Sequence, residues 1–218
     1  MFGCLGRLGC LLLLAVLAVG GWFTKPWWYP RVRALVVAEA PAASLTWKPI
    51  SPEAASRGSR AAERMAEKTG PVYADLTPAE FAAWQLEPAM KIFGASAANP
   101  EATVHGDTLL LRANVSVAEL GDPKQLGPLA SMLDGRQPVL IGGRLSMARP
   151  GVLALQVTQM SVKELRLPGR LVEKIVQRIS VTQRGDSVPA NAIALRVGRH
   201  IADVRVAGGK VVLYKAVP

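Results

Sequence analysis

Apolar and polar positions are most strongly ordered between residues 135 and 179. Leu145 and Met147 alternate with Arg144 and Ser146, the period of a strand with one buried face. Arg149-Pro150-Gly151 follows, a turn signal between two apolar runs. Beyond it Leu153, Leu155 and Val157 share a face. The phase then slips, so that Met160 and Val162 carry the apolar positions, and a second slip passes them to Leu165 and Leu167. A flat strand shifted by one residue exchanges its faces. The pattern therefore predicts two β-bulges or bends within one strongly curved strand of about 16 residues, against the usual ~5–6. A helix follows, with Leu171, Val172, Ile175, Val176 and Ile179 on one stripe and Arg170, Glu173, Lys174, Gln177 and Arg178 opposite. Pro168 stands close to the first-turn position that proline tolerates.

Two readings of this unit stay open. The apolar strand face and helix stripe close into a core, or they fail to meet fully and leave a lipid-sized groove. Leu145, Met147, Leu155, Val157, Met160, Val162, Leu171 and Ile175 are the groove candidates. Methionine is flexible and polarisable, which suits a surface accepting variable acyl chains.

Upstream, Thr77-Pro78-Ala79-Glu80 has the form of a capping box with proline at the first helical position. Phe81, Trp84, Met90, Ile92 and Phe93 supply that helix's apolar side, with a kink expected at Pro88. Leu109, Leu111, Ala113, Val115 and Val117 alternate with Arg112, Asn114 and Ser116 as a strand. A short helix around 123–133 bridges to the central hairpin. Gly208-Gly209 joins the last two strands as a terminal hairpin. Before the folded region, 51–68 is an Ala-, Arg- and Glu-rich helix read as a solvated spacer.

The segment 8–23 carries no charge and, extended by residues 1–6, reaches the ~20 residues of a spanning helix. Trp22, Phe23, Lys25, Trp27, Trp28 and Tyr29 follow it, the composition of an interfacial belt. A cleaved signal peptide ending at Ala18-Val19-Gly20 is the rival reading. The aromatic cluster favours an uncleaved anchor. The organisation expected is thus an anchor over 1–30, a linker and surface helix over 31–70, and an α+β domain over 71–218. In that fold class an N-terminal transmembrane helix precedes a curved antiparallel sheet wrapped on amphipathic helices. The implied location is the cytoplasmic membrane, single-pass, with the domain on the extracytoplasmic side.

The net charge of +10 is spread along the chain, and aromatic residues are few outside the N-terminal stretch. A charged groove with stacking aromatics is not present, so nucleic acid is not an expected partner. Both cysteines, Cys4 and Cys10, lie in the apolar segment, which leaves the rest of the chain without thiol chemistry. His105 and His200 lack a second ligand at metal spacing. There is no G-x-S-x-G elbow and no P-loop. No catalytic residue, metal or cofactor is expected.

The order of elements is familiar. An anchor precedes the Leu76-to-Glu80 helix start, then a strand pair, a long hairpin and the helix led by Leu167-Pro168. Val188-Pro189, Ile201-Ala202-Asp203-Val204-Arg205-Val206 and Gly209-Lys210-Val211-Val212-Leu213 complete the set. Over 72–218 this resembles the bacterial membrane-anchored proteins of the YpmS type, and more distantly the LmeA-like proteins related to tubular lipid-binding domains. The resemblance implies a curved antiparallel sheet and the handling of a lipid or glycolipid outside the cytoplasmic membrane, and it supplies no catalytic residue. Two functions follow as expectations: binding a membrane lipid or lipid-linked molecule in an apolar groove, or acting as a non-enzymatic adaptor for another envelope protein.

Overall fold

A long antiparallel hairpin carries the rest of the fold. Its arms are β5 (Arg136–Arg149) and β6 (Val152–Val162), and Gly151 makes the turn at φ 80°, which only glycine adopts freely. The computed structural model describes residues 45–86, 97–116, 135–163, 165–179 and 188–216. Register along the hairpin pairs Met147 with Leu153, Leu145 with Leu155 and Gly143 with Val157. The next pair is Gly142 with Gln159, so Thr158 is the extra residue of a bulge. That bulge lets Val157 and Met160 bury on the same side, and it is the first of the two slips read in the pattern.

The second slip is a different event. The chain reverses after Lys163, at φ 60°, and returns as β7 (Leu165–Arg166), which pairs Val162 with Leu165 and Ser161 with Arg166. Cross-strand partners share a face. A three-residue step between apolar positions therefore looks the same across a tight reversal as across a bulge. The continuous 16-residue strand is corrected to 11 residues, a reversal and a short return strand.

Around the hairpin, β1 (Lys48–Pro49), β3 (Ala98–His105) and β4 (Thr108–Ser116) add on one side in the order β1-β3-β4-β5-β6. On the other side β6 is flanked by β7 and, along Val152 to Gln156, by β8 (Ala192–Arg196). A second, three-stranded sheet has the order β2 (Tyr73–Leu76), β10 (Lys210–Lys215), β9 (Ile201–Ala207). Its β9–β10 hairpin turns through Gly208 and Gly209, both at positive φ.

Three helices complete the described fold: α1 (Pro52–Ala66), α2 (Pro78–Leu86) and α3 (Gly169–Ile179). Ser51 caps α1 by accepting the Ala54 N–H at 3.2 Å. Far from being a solvated spacer, α1 buries Ala54, Gly58, Ala62 and Met65. At Gly58 it lies so close to α2 that an added Cβ would stand 2.6 Å from the Glu80 carbonyl oxygen. Phe81 of α2, Val172 and Val176 of α3 and the inward side chains of both sheets share one core. Pro168 caps α3, its carbonyl accepting from Leu171 and Val172.

Two parts of the expected architecture are corrected. Strands dominate the described residues, and helices are three and short, so the fold is mainly antiparallel β in two sheets, not a sheet wrapped on helices. Strand signals were legible, but pairing β2 with β10 joins residues about 140 apart in sequence, which no local pattern specifies. The second correction is the transmembrane helix. Among the described residues no helix is long and apolar enough to cross a membrane. Residues 1–30, on which the single-pass anchor and the cytoplasmic-membrane location rested, lie outside the described residues, and neither expectation is carried forward. The kink at Pro88, the side chains Met90, Ile92 and Phe93, Val117 and the helix over 123–133 lie outside them as well.

Candidate functional site

The eight groove candidates come together, but as packing. Leu155, Val157, Met160, Val162 and Ile175 are buried in the shared core, with Met160 2 % exposed. Leu145, Met147 and Leu171 are half-buried and pack against that core. Met160 is the cross-strand partner of Ile141 inside that core and does not line an opening. The interfacial candidates Trp22, Phe23, Lys25, Trp27, Trp28 and Tyr29 lie outside the described residues.

The two histidines differ in setting. His105 is exposed at the β3–β4 turn, and His200 donates from Nε2 to the Ala62 carbonyl at 3.2 Å, tying the start of β9 to α1. Among the described residues no three His, Cys, Asp or Glu side chains group to hold a metal ion.

Described residues line two open clefts. One, of about 730 Å³, is lined by Pro49, Asn99, Glu101, Arg112, Asn114 and Pro138. Its one cation is committed: Arg112 donates to Glu101 at 2.6 Å and lies over the Trp47 ring at 4.1 Å. The other, of about 550 Å³, runs between α1 and β2 and is lined by Arg57, Arg60, Arg64, Glu67, Asp75 and Leu76, among others. At its end, Glu80 accepts from Arg57 Nε at 2.6 Å. Burial alone would push the Glu80 carboxyl up, but bonds from Arg57 and from the Thr77 amide and hydroxyl outweigh it and hold the group below its ordinary value.

The feature that pattern reading missed is on the outer face of the three-stranded sheet. Among the described residues the exposed large hydrophobic side chains are Val72 at 61 %, Tyr73 at 56 % and Tyr214 at 38 %. Tyr73 and Tyr214 are direct cross-strand partners on β2 and β10, so both side chains leave the same face of the sheet. Arg205 lies 5.6 Å from the Tyr214 ring and binds Asp203 at 2.6 Å. Lys210 binds Asp75 at 2.9 Å. The face is aromatic at one end, in the row of Tyr73, Tyr214 and Asp203, and its two ion pairs are neutral in sum. Alternation in β2 and β10 could have shown that Tyr73 and Tyr214 point outward; their pairing could not be read locally.

No family model, curated protein or solved structure matches this chain.

Proposed function

We propose that this domain is a non-enzymatic docking module that holds another protein against the outer face of its three-stranded sheet. The observation that carries the reading is the exposed Tyr73–Tyr214 pair, over a core that is otherwise closed among the described residues. Tyrosine offers a large amphipathic contact at small entropic cost and is enriched where proteins meet. The two ion pairs cancel on this face, so polyanion attraction is not its driving force, although the chain carries +10 overall. Acyl-lipid handling is less well supported, because the side chains suited to a groove are packed against one another.

The face is small. Three strands about 4.8 Å apart and four paired rows about 3.3 Å long cover roughly 200 Å², far below the ~800 Å² per partner of stable complexes. A weak, transient contact is what such a face supports by itself.

The test is cross-linking in cells with the full chain against a Tyr73→Ser/Tyr214→Ser double variant. A discrete adduct formed by the native chain and an Arg166→Ser control, and lost in the double variant at unchanged melting temperature, supports docking here. An adduct of equal yield in the double variant removes this face as the docking surface.

A further inference from the structure

One edge of the same sheet, along β2, is open. Lys215 donates its N–H to the Val72 carbonyl at 2.8 Å, and this bond sets the parity of the β2–β10 ladder. In an antiparallel pair the bonded residues alternate. Val72, Ala74 and Leu76 therefore turn their main-chain groups toward β10, while those of Tyr73 and Asp75 point away from the sheet. Among the described residues these outward groups meet no hydrogen-bond partner.

Two other edges, β1 and β9, are closed by devices that proteins use against unwanted pairing. β1 is two residues, Lys48 and Pro49, and proline removes a ladder donor. On β9 the Asp203 side chain accepts the Val204 N–H at 2.8 Å, and the strand lies beside β5. β2 has neither proline nor lysine.

We infer that β2 is a strand-addition site, which takes one extended, proline-free segment of a partner protein alongside Tyr73 and Asp75. This rests on the docking reading above and names its mode. Main-chain bonds along an edge supply affinity that the small tyrosine face lacks. The window is short: Pro71 precedes it, and the Thr77 N–H beyond it is taken by Glu80. Four residues of strand span about 13 Å. Room for the guest lies along this edge, in the cleft of about 550 Å³ between β2 and α1.

Charge and exposure then set the guest's pattern. Its outward side chains stand beside Tyr73, where aromatic and β-branched residues pair best. The same outward face carries the Asp75–Lys210 pair, while the guest's inward side chains enter the cleft, where Arg57 is paired with Glu80. Arg60 and Arg64 then balance Glu63 and Glu67 there. An apolar group would strip water from those charges, and a charged one would meet both signs, so small polar side chains fit. The segment alternates aromatic or β-branched residues with threonine- or serine-like ones.

The probe is a capped, fluorescent heptapeptide, Thr-Val-Thr-Tyr-Thr-Val-Thr, titrated against the full chain. Saturable binding is expected on the order of 10–100 µM. Asp75→Pro removes one outward N–H but leaves the β10 ladder intact, and it should weaken binding by about tenfold or more. Asp75→Ala keeps that N–H and should stay within about twofold, because an exposed ion pair contributes little. Methylating alternate amides of the probe tests the same bonds from the guest side, should Asp75→Pro fold poorly. Native-like binding by Asp75→Pro or by the methylated probe, or no saturation up to about 1 mM, overturns strand addition. If Asp75→Pro keeps the cellular adduct that Tyr73→Ser/Tyr214→Ser loses, docking on the face stands and strand addition falls.

Discussion

Thr77 and Glu80 close the start of α2 on each other. Glu80 Oε2 accepts the Thr77 N–H at 2.9 Å, and Thr77 Oγ1 accepts the Glu80 N–H at 3.3 Å. The other carboxylate oxygen receives Arg57 from α1, so one side chain caps one helix and ties it to another.

Replacing Thr77 by Ala should cost about 1 kcal/mol, the usual worth of such a cap. Glu80→Gln should cost a similar amount at neutral pH. The Glu80 carboxyl is held below its ordinary value in the fold. Its stabilising contribution is therefore present above the unfolded value of about 4.3 and lost as pH falls through the folded value. Urea unfolding of native chain and Glu80→Gln should differ at pH 7 and converge near pH 3. A constant difference across that range would show that the charge is not the source.

Gly58→Ala separates helix propensity from packing. In an open helix the change stabilises by about 1 kcal/mol. Here the new Cβ would stand 2.6 Å from the Glu80 carbonyl oxygen and 2.9 Å from Trp84 Cβ, neither of which can swing aside. A net loss of about 1–3 kcal/mol is expected from overpacking. A raised melting temperature would mean that α1 and α2 part easily.

Met160→Asp puts a carboxylate into the core at a position paired with Ile141. Without a partner the buried charge costs several kcal/mol and should abolish the cooperative melt. Leu155→Ala, at a similarly buried site, should cost about 2–5 kcal/mol. A near-native melt for Met160→Asp would reveal an opening that water reaches, and would restore the groove reading.

Lys163→Gly should gain about 0.5–1 kcal/mol. A lysine at φ 60° bears the left-handed penalty of about 1–2 kcal/mol, from which the greater freedom of glycine in the unfolded chain is subtracted. Thermal unfolding reads the shift directly, and a loss would point to a native contact of the Lys163 side chain.

Local chemistry was legible wherever the cause was local. The capping box at Thr77, the turns at Gly151 and Gly208-Gly209, the inward face of β4 and the buried stripe of α3 follow from residues within a few positions of each other. The helix over Pro52–Ala66 was legible as a helix but not as core. Its buried face is made of Ala54, Gly58 and Ala62, small residues that hold only Met65 as a large apolar signal. The exposed tyrosine pair was invisible for the opposite reason. Two tyrosines about 140 residues apart make a surface feature only after β2 and β10 pair.

By itself the sequence determined which stretches extend or coil and which face of each is apolar, because backbone sterics and side-chain period act over a few residues. Tertiary structure alone decided whether the apolar faces around Met160 close or gape, since that depends on how completely α3 and the sheets fill one volume. It also decided which strand edge stays open. β2 is an edge because β10 is its one strand partner among the described residues and no described strand pairs along its far side.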